Sequence, residues 1–272
     1  MTDEDWLGRM AAELRRRGVA EENLEEAVAE ARLHIGGTGR PADVVLGRPE
    51  PYAAELAGSL VGYVPTTRPE PGPPRLTVAG VGKRYGRRWV LRDVGLTVRA
   101  GEVAAVVGAN GSGKSTFLRI CAGLVPADQG LIAVDGTIGY CPQDGGTLDH
   151  LRADEHFALV GAGRGIPRAE ARRLGVDLAA TLQWNAAAPT QARHLSGGTR
   201  QKLNLALSAL GDPDIMLLDE PYQGFDHGAY LDFWEQVWTW RDRGKAVVVV
   251  THLLELLDRV DVVLDLPSEV AA

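Results

Sequence analysis

Two hydrophobic periodicities divide the chain. Trp6, Leu7, Met10 and Leu14 recur at the three-to-four spacing of one helical face, and so do Leu24, Val28, Ala31 and Ile35. Glu21, Glu22, Glu25 and Glu26 open the second run, where a helix N-terminus favours negative charge. Gly36 and Gly37 are expected to stop it. Pro41 and Pro51 suit the first turns of two further short helices, the last over Tyr52–Leu60. Beyond residue 74 the pattern changes to short apolar runs. Leu76–Gly80 and Val90–Val98 predict strands with turn residues between them. Glu102–Val107 ends in the unbroken apolar pattern of a strand buried on both faces, and Ile215–Leu218, Ala246–Val250 and Val260–Leu264 read alike. Helices are predicted at Lys114–Leu124, Asp154–Gly161, Arg168–Leu182, Thr199–Leu210, Ala229–Arg243 and Leu253–Asp258. Strands alternating with helices predict an α/β fold with a parallel core, preceded by a small all-α module.

Composition sharpens that division. Five of the eleven residues in Val64–Pro74 are proline, which favours a stiff extended linker. The expected organisation is a helical module at 1–63, a linker at 64–74 and the main domain at 75–272. Residues 1–63 hold 7 basic and 12 acidic residues, and residues 64–272 hold 22 and 24, so most of the net charge of −7 sits in the small module. That acidity speaks against bulk binding to nucleic acid. The two cysteines, Cys121 and Cys141, are too few for a metal cluster or disulfide framework and fit a reducing cytosol. No apolar run approaches the roughly 20 residues that cross a bilayer, so no direct membrane insertion is expected.

Three motifs carry chemistry. Gly108, Asn110, Gly111, Ser112, Gly113, Lys114, Ser115 and Thr116 lie within the phosphate-loop pattern G-x-x-x-x-G-K-[ST], between an apolar strand and a helix. The glycines let backbone N–H groups converge on a phosphate, and the helix adds its positive end. Lys114 is placed to reach the β- and γ-phosphates, and Ser115 to ligate Mg²⁺. Downstream, Ile215–Asp219 is a buried strand ending in a carboxylate, with Glu220 next. Asp219 suits a metal partner, and Glu220 a general base for an attacking water. The third motif is Leu195-Ser196-Gly197-Gly198-Thr199, a second anion cradle at a helix N-terminus.

Together these residues resemble the nucleotide-binding domain of ATP-binding cassette (ABC) proteins, over about Arg75–Leu266. The resemblance implies a P-loop ABC-type cassette: a mixed sheet with a parallel core and a helical signature subdomain. It implies that Tyr85 stacks on adenine, that Gln143 senses Mg²⁺ and touches a transport partner, and that Ser196, Gly197 and Gly198 form the signature. It further implies Asp219 for the metal, Glu220 for catalysis, Asp226 for communication across a dimer, and His252 for contact with the γ-phosphate. Two copies would sandwich two ATP with Mg²⁺, each lending its signature to the other, as a homodimer or with a similar chain. The expected protein is an ATP-hydrolysing subunit that drives a separate integral-membrane permease, in export rather than import, from the cytoplasmic membrane face. A groove around Gln143–Arg152 would receive a helix of that permease. The alternative is a soluble ABC ATPase in cofactor assembly or switching.

Several features depart from the family pattern. Thr199 replaces the usual glutamine, and Tyr222-Gln-Gly-Phe225 replaces the usual small residues before Asp226. The stretch Gly123–Gln143 is short for the family, as if one hairpin were trimmed. Leu46–Leu56 resembles the end of small helical HAAS-type modules, with Arg48 where an acidic residue is common. Trp234 and Trp238 share a helical face and read as packing residues. His34, His150, His156, His194 and His227 lack ligand spacing.

Overall fold

The computed structural model describes residues 2–16, 19, 21–38, 41–50, 52, 53, 56, 70–251 and 259–267. The chain divides into two compact units, Met1–Arg68 and Pro69–Ala272.

In the first unit, helices α1 (Asp3–Arg16), α2 (Glu21–Thr38) and α3 (Ala42–Val45) close round one small core. Trp6, Met10 and Leu14 of α1 are fully buried against Leu24, Ala31 and Ile35 of α2. The Trp6 indole N–H donates to Gly47 O at 2.8 Å, and its ring lies 5.3 Å from that of Tyr52. The α3 end is tied back where the Ala42 N–H donates to Asp3 Oδ1 at 2.9 Å. Contrary to expectation, α2 continues through Gly36 and Gly37 to Thr38. Glycine weakens a helix by about 1 kcal/mol relative to alanine, which late in a helix does not force it to end. Most of the predicted helix over 52–60, and the linker before residue 70, lie outside the described residues.

The second unit carries two sheets. Strands β1 (Pro74–Tyr85), β2 (Arg88–Arg99) and β4 (Gln129–Val134) form an antiparallel sheet in the order β2-β1-β4. Strands β3 (Val103–Val107), β5 (Ile138–Cys141), β6 (Ile215–Asp219), β7 (Ala246–Val250) and β8 (Val262–Asp265) form a parallel sheet in the order β5-β6-β7-β3-β8. Every residue of β3, β6 and β7 is buried, which explains their unbroken apolar runs. Helices α4 (Lys114–Cys121), α5 (Ala153–Gly163), α6 (Arg168–Thr181), α7 (Gly197–Ala209) and α8 (His227–Asp242) complete the unit.

Two cores result. Val106, Val248, Leu217, Phe117 and Leu118 pack with the antiparallel sheet. Val247, Val249, Leu218, Leu203, Phe233 and Trp234 form the other, where the Trp234 and Trp238 rings stack at 5.4 Å. Both cysteines are free and buried, and burial pushes the Cys121 thiol up to about 12.

The element bounds differ from expectation for local reasons. Strand β1 begins at Pro74, inside the expected linker; proline is tolerated at a strand's first residue. It then runs past Gly80, where φ is +61° and the register with β2 shifts, so Gly80 marks a bulge rather than a strand end. The stretch expected to lack a hairpin holds β4 and β5, which pair with different sheets rather than with each other. Strand β4 is almost wholly exposed, which removed the alternation that betrays a strand. The predicted helix over 253–258 lies outside the described residues.

Candidate functional site

The phosphate loop joins the end of β3 to the start of α4. Gly108 has φ +140° and Gly113 φ +98°, both unfavourable for any side chain. A Cβ on Gly113 would lie 2.8 Å from Val90 Cγ1 and 2.9 Å from Leu91 Cδ2, so strand β2 presses directly on the loop. Lys114 is buried, and its Nζ donates to Gly108 O at 2.7 Å and Ala109 O at 3.1 Å. These are neutral acceptors, and phosphate oxygens bind an ammonium more strongly.

Strand β6 is parallel to β7, which is parallel to β3, so β6 delivers Asp219 and Glu220 at the same end of the sheet. The Ser115 hydroxyl donates to Asp219 Oδ1 at 3.1 Å. Asp219 is fully buried, and its Oδ2 has no hydrogen-bond partner among the described residues. Burial raises its pKa above the usual carboxylate value; the Ser115 hydrogen bond opposes the rise and the Glu220 charge adds to it. An orphaned buried carboxylate oxygen beside a serine hydroxyl is a donor set of hard oxygens, and it fits Mg²⁺ completed by phosphate and water. Glu220 adopts a left-handed conformation with φ +45°. Its N–H donates to Val250 O at 3.3 Å. Its Oε2 accepts from Gln143 Nε2 at 3.0 Å and from Gln223 Nε2 at 3.1 Å.

A cleft of about 620 Å³ collects these groups, lined by Asn110, Gly111, Gly113, Lys114, Ser115, Thr116, Gln143 and Glu220, with Val90 and Gln223. Gly108 and Ser112 belong to the same loop without lining the cleft, and Ser112 is buried. Tyr85 ends β1 with its ring half exposed, and Lys83 Nζ lies 5.5 Å from the ring centroid. His252 lies outside the described residues.

The signature residues do not line that cleft. Ser196 and Gly197 are exposed. Ser196 is the N-cap of α7: its Oγ accepts from the Thr199 N–H at 3.2 Å and lies 2.8 Å from Thr199 Oγ1. A Cβ on Gly198 would meet Gly224 O at 2.5 Å, so the start of α7 rides on the turn before Asp226. Asp226 is exposed and caps α8, accepting from the Ala229 N–H at 2.8 Å.

Four supporting residues escaped the sequence reading. Gln201 and Asn204 of α7 are buried. Gln201 Nε2 donates to Pro142 O at 3.5 Å and Asn204 Nδ2 to Gly145 O at 2.9 Å, which holds the loop bearing Gln143. Polar residues among the buried leucines of α7 were the available signal. His156 is buried, with Nδ1 against Arg152 O and Nε2 accepting from the Leu148 N–H, each at 2.8 Å. It pins the loop on which Leu148 stands 54% exposed. Gln223 is the fourth, lining the cleft from the turn after Glu220. Among the described residues no group of acidic, histidine and cysteine side chains forms a metal cage, and no helix is long and apolar enough to cross a membrane.

Known proteins resemble this chain. The ABC transporter family matches residues 91–223. The zinc import ATP-binding protein ZnuC of Ruegeria pomeroyi is 38% identical over 192 residues, spanning 68% of this chain and 71% of that protein. The chain belongs to the ABC transporter family. A second relative, the Nod factor export ATP-binding protein I of Ralstonia nicotianae, is 33% identical over 208 residues. That match spans 70% of this chain and 64% of the relative, so the chain accounts for under two thirds of its length. A solved ATP-binding subunit of an ABC transporter is 27% identical, with a TM-score of 0.65 over 71% of this chain and 85% of that one. The ABC cassette fold thus accounts for the second unit: its parallel sheet, its phosphate loop and its helical α5–α7 region.

Proposed function

We propose that this ABC family chain binds and hydrolyses ATP as one of two cassettes that drive a separate membrane permease. The observation that carries the reading is the convergence of Lys114, Ser115, Gln143 and Glu220 on one cleft, with Asp219 bonded to Ser115 behind it. Loop N–H groups and Lys114 bind the phosphates, and Lys114 exchanges two carbonyl partners for charged oxygens. Tyr85 presents its ring to adenine. Ser115, Asp219 and Gln143 would hold Mg²⁺, which would neutralise phosphate charge when bound. Glu220 takes the proton of the attacking water, and His252 contacts the γ-phosphate. Ser196 and Gly197 are exposed and Gly198 is half-buried, none of them lining the cleft, which fits their use by a second copy, and Asp226 would link the two sites. A closed dimer contacts the γ-phosphate from both sides, and hydrolysis removes that differential contact.

Exposed Leu148, on the loop pinned by His156, suits the permease helix. Export is the proposed direction, on the likeness to the Nod factor export relative, with import, as named for the zinc relative, as the other outcome. The cassette then sits at the cytoplasmic face of the membrane, and the acidic module at 1–63, joined by the proline-rich linker, tunes assembly with the partner. The experiment is to express tagged Glu220→Gln in native cells and purify it from detergent-solubilised membranes. A stoichiometric polytopic partner supports the proposal. A soluble dimer or a soluble partner alone replaces it with the cofactor-assembly or switch reading.

A further inference from the structure

We infer that Gln223 is a positioning residue for Glu220, acting through a second amide hydrogen bond to its carboxylate; this rests on the proposed role of Glu220 as general base. Gln143 and Gln223 approach Glu220 from different elements. Gln143 sits beyond β5 on a loop held by Gln201 and Asn204 of α7. Gln223 sits three residues after Glu220, on the turn leading to α8. Both donate to the same oxygen, Oε2, at 3.0 and 3.1 Å. Two donors that reach one oxygen from different elements restrict the rotation of the carboxylate about its last bond more than either does alone.

The turn carrying Gln223 is itself held. The Gln223 N–H donates to Glu220 O at 3.3 Å and the Phe225 N–H to Tyr222 O at 3.0 Å. The buried Tyr222 hydroxyl lies 2.5 Å from Thr251 Oγ1, and its ring packs 5.9 Å from Phe233. Gly224, at φ +77°, lets the start of α7 sit against this turn. The Gln223 side chain is therefore delivered from a braced turn, while Gln143 belongs to a loop whose own job is contact with metal and partner. Gln223 keeps Glu220 aimed when Gln143 changes partners. Because Gln223 is exposed on the cleft wall, substituting it leaves the core untouched.

The test compares Gln223→Met, which keeps length and volume but cannot donate, with the wild-type full chain. The expected result is a kcat lowered by about tenfold, the size of one lost hydrogen bond to a charged group, with KM, nucleotide affinity and Tm unchanged. In a Glu220→Ala background the same substitution has no further effect, which a merely structural role would not produce. A kcat within twofold of wild type, or an equal loss in both backgrounds, overturns the inference. Unimpaired hydrolysis by Glu220→Ala would instead overturn the general-base reading beneath it, so the two failures are distinct.

Discussion

The phosphate loop and the signature turn are both glycine-bearing turns that open a helix, yet their surroundings differ in almost every respect. Around the loop, Gly113 is pressed by β2, Lys114 is buried, and two further strand and loop ends bring Asp219, Glu220 and Gln143 within bonding distance of one another or of Ser115. The signature turn is exposed, a Cβ on Gly197 would meet nothing within 4 Å, and the Ser196 hydroxyl is used locally as a cap. One chain closes the first by packing and leaves the second open. In the function proposed above, identical physics, a helix N-terminus with glycine backbone, would serve an intrinsic site in one place and half of a composite site in the other.

That contrast can be broken most forcefully at Lys114 and Ser196. Lys114→Ala should weaken ATP binding by roughly a hundredfold, the scale of a lost charged contact to phosphate. Ser196→Ala, measured at concentrations where the chain stays single, should leave ATP affinity within about twofold and lower α7 stability by about 1 kcal/mol through its lost cap. Titration with a fluorescent ATP analogue checks both. Equal losses of affinity would place the signature inside the single-chain site and erase the distinction.

Glycine replacements sharpen the comparison with a smaller effect. Gly113→Ala combines a positive φ with overlap against Val90 and Leu91, and should cost about 2–4 kcal/mol in denaturant unfolding. Gly197→Ala meets open space in a helical first turn and should fall within about 1 kcal/mol of wild type.

The smallest effect concerns Asp219. Burial raises its folded pKa, so the folded protein holds the proton more tightly than the unfolded chain. Stability is therefore lost as pH rises from the ordinary carboxylate range through the raised folded value, and remains lower at neutral pH. Asp219→Asn should raise Tm at neutral pH while abolishing hydrolysis. The gain should vanish in acid. A lower Tm at neutral pH would show that the ionised carboxylate stabilises the fold after all.

How much of this was legible depended on whether a signal was local. The apolar runs of β3, β6 and β7 and the phosphate loop announced themselves because burial on both faces and a glycine-rich turn each leave a continuous pattern. Strand β4 left none, since its side chains are exposed and its partners lie at residues 76–82. Gly80 read as a strand end because a bulge and a terminus look alike without the partner strand. The order of motifs gave the residues of the cleft, but not what holds them. Gln201, Asn204 and Gln223 act across 3 to 59 positions of sequence, and their polarity alone does not say which loop or carboxylate they hold. The separation of the signature from the cleft, by contrast, is what the resemblance already implied, since there each copy lends its signature to the other.

The central claim is that one chain holds a complete phosphate site and half of a composite one, so ATP should join two chains. The most direct test is the mass of Glu220→Gln in solution, by sedimentation, with and without ATP. The account predicts a 29.1 kDa species without ATP, a species of twice that mass with it, and reversal when Ser196→Arg is added. A chain that binds ATP yet stays at its single mass at concentrations well above that of the ligand site would contradict it.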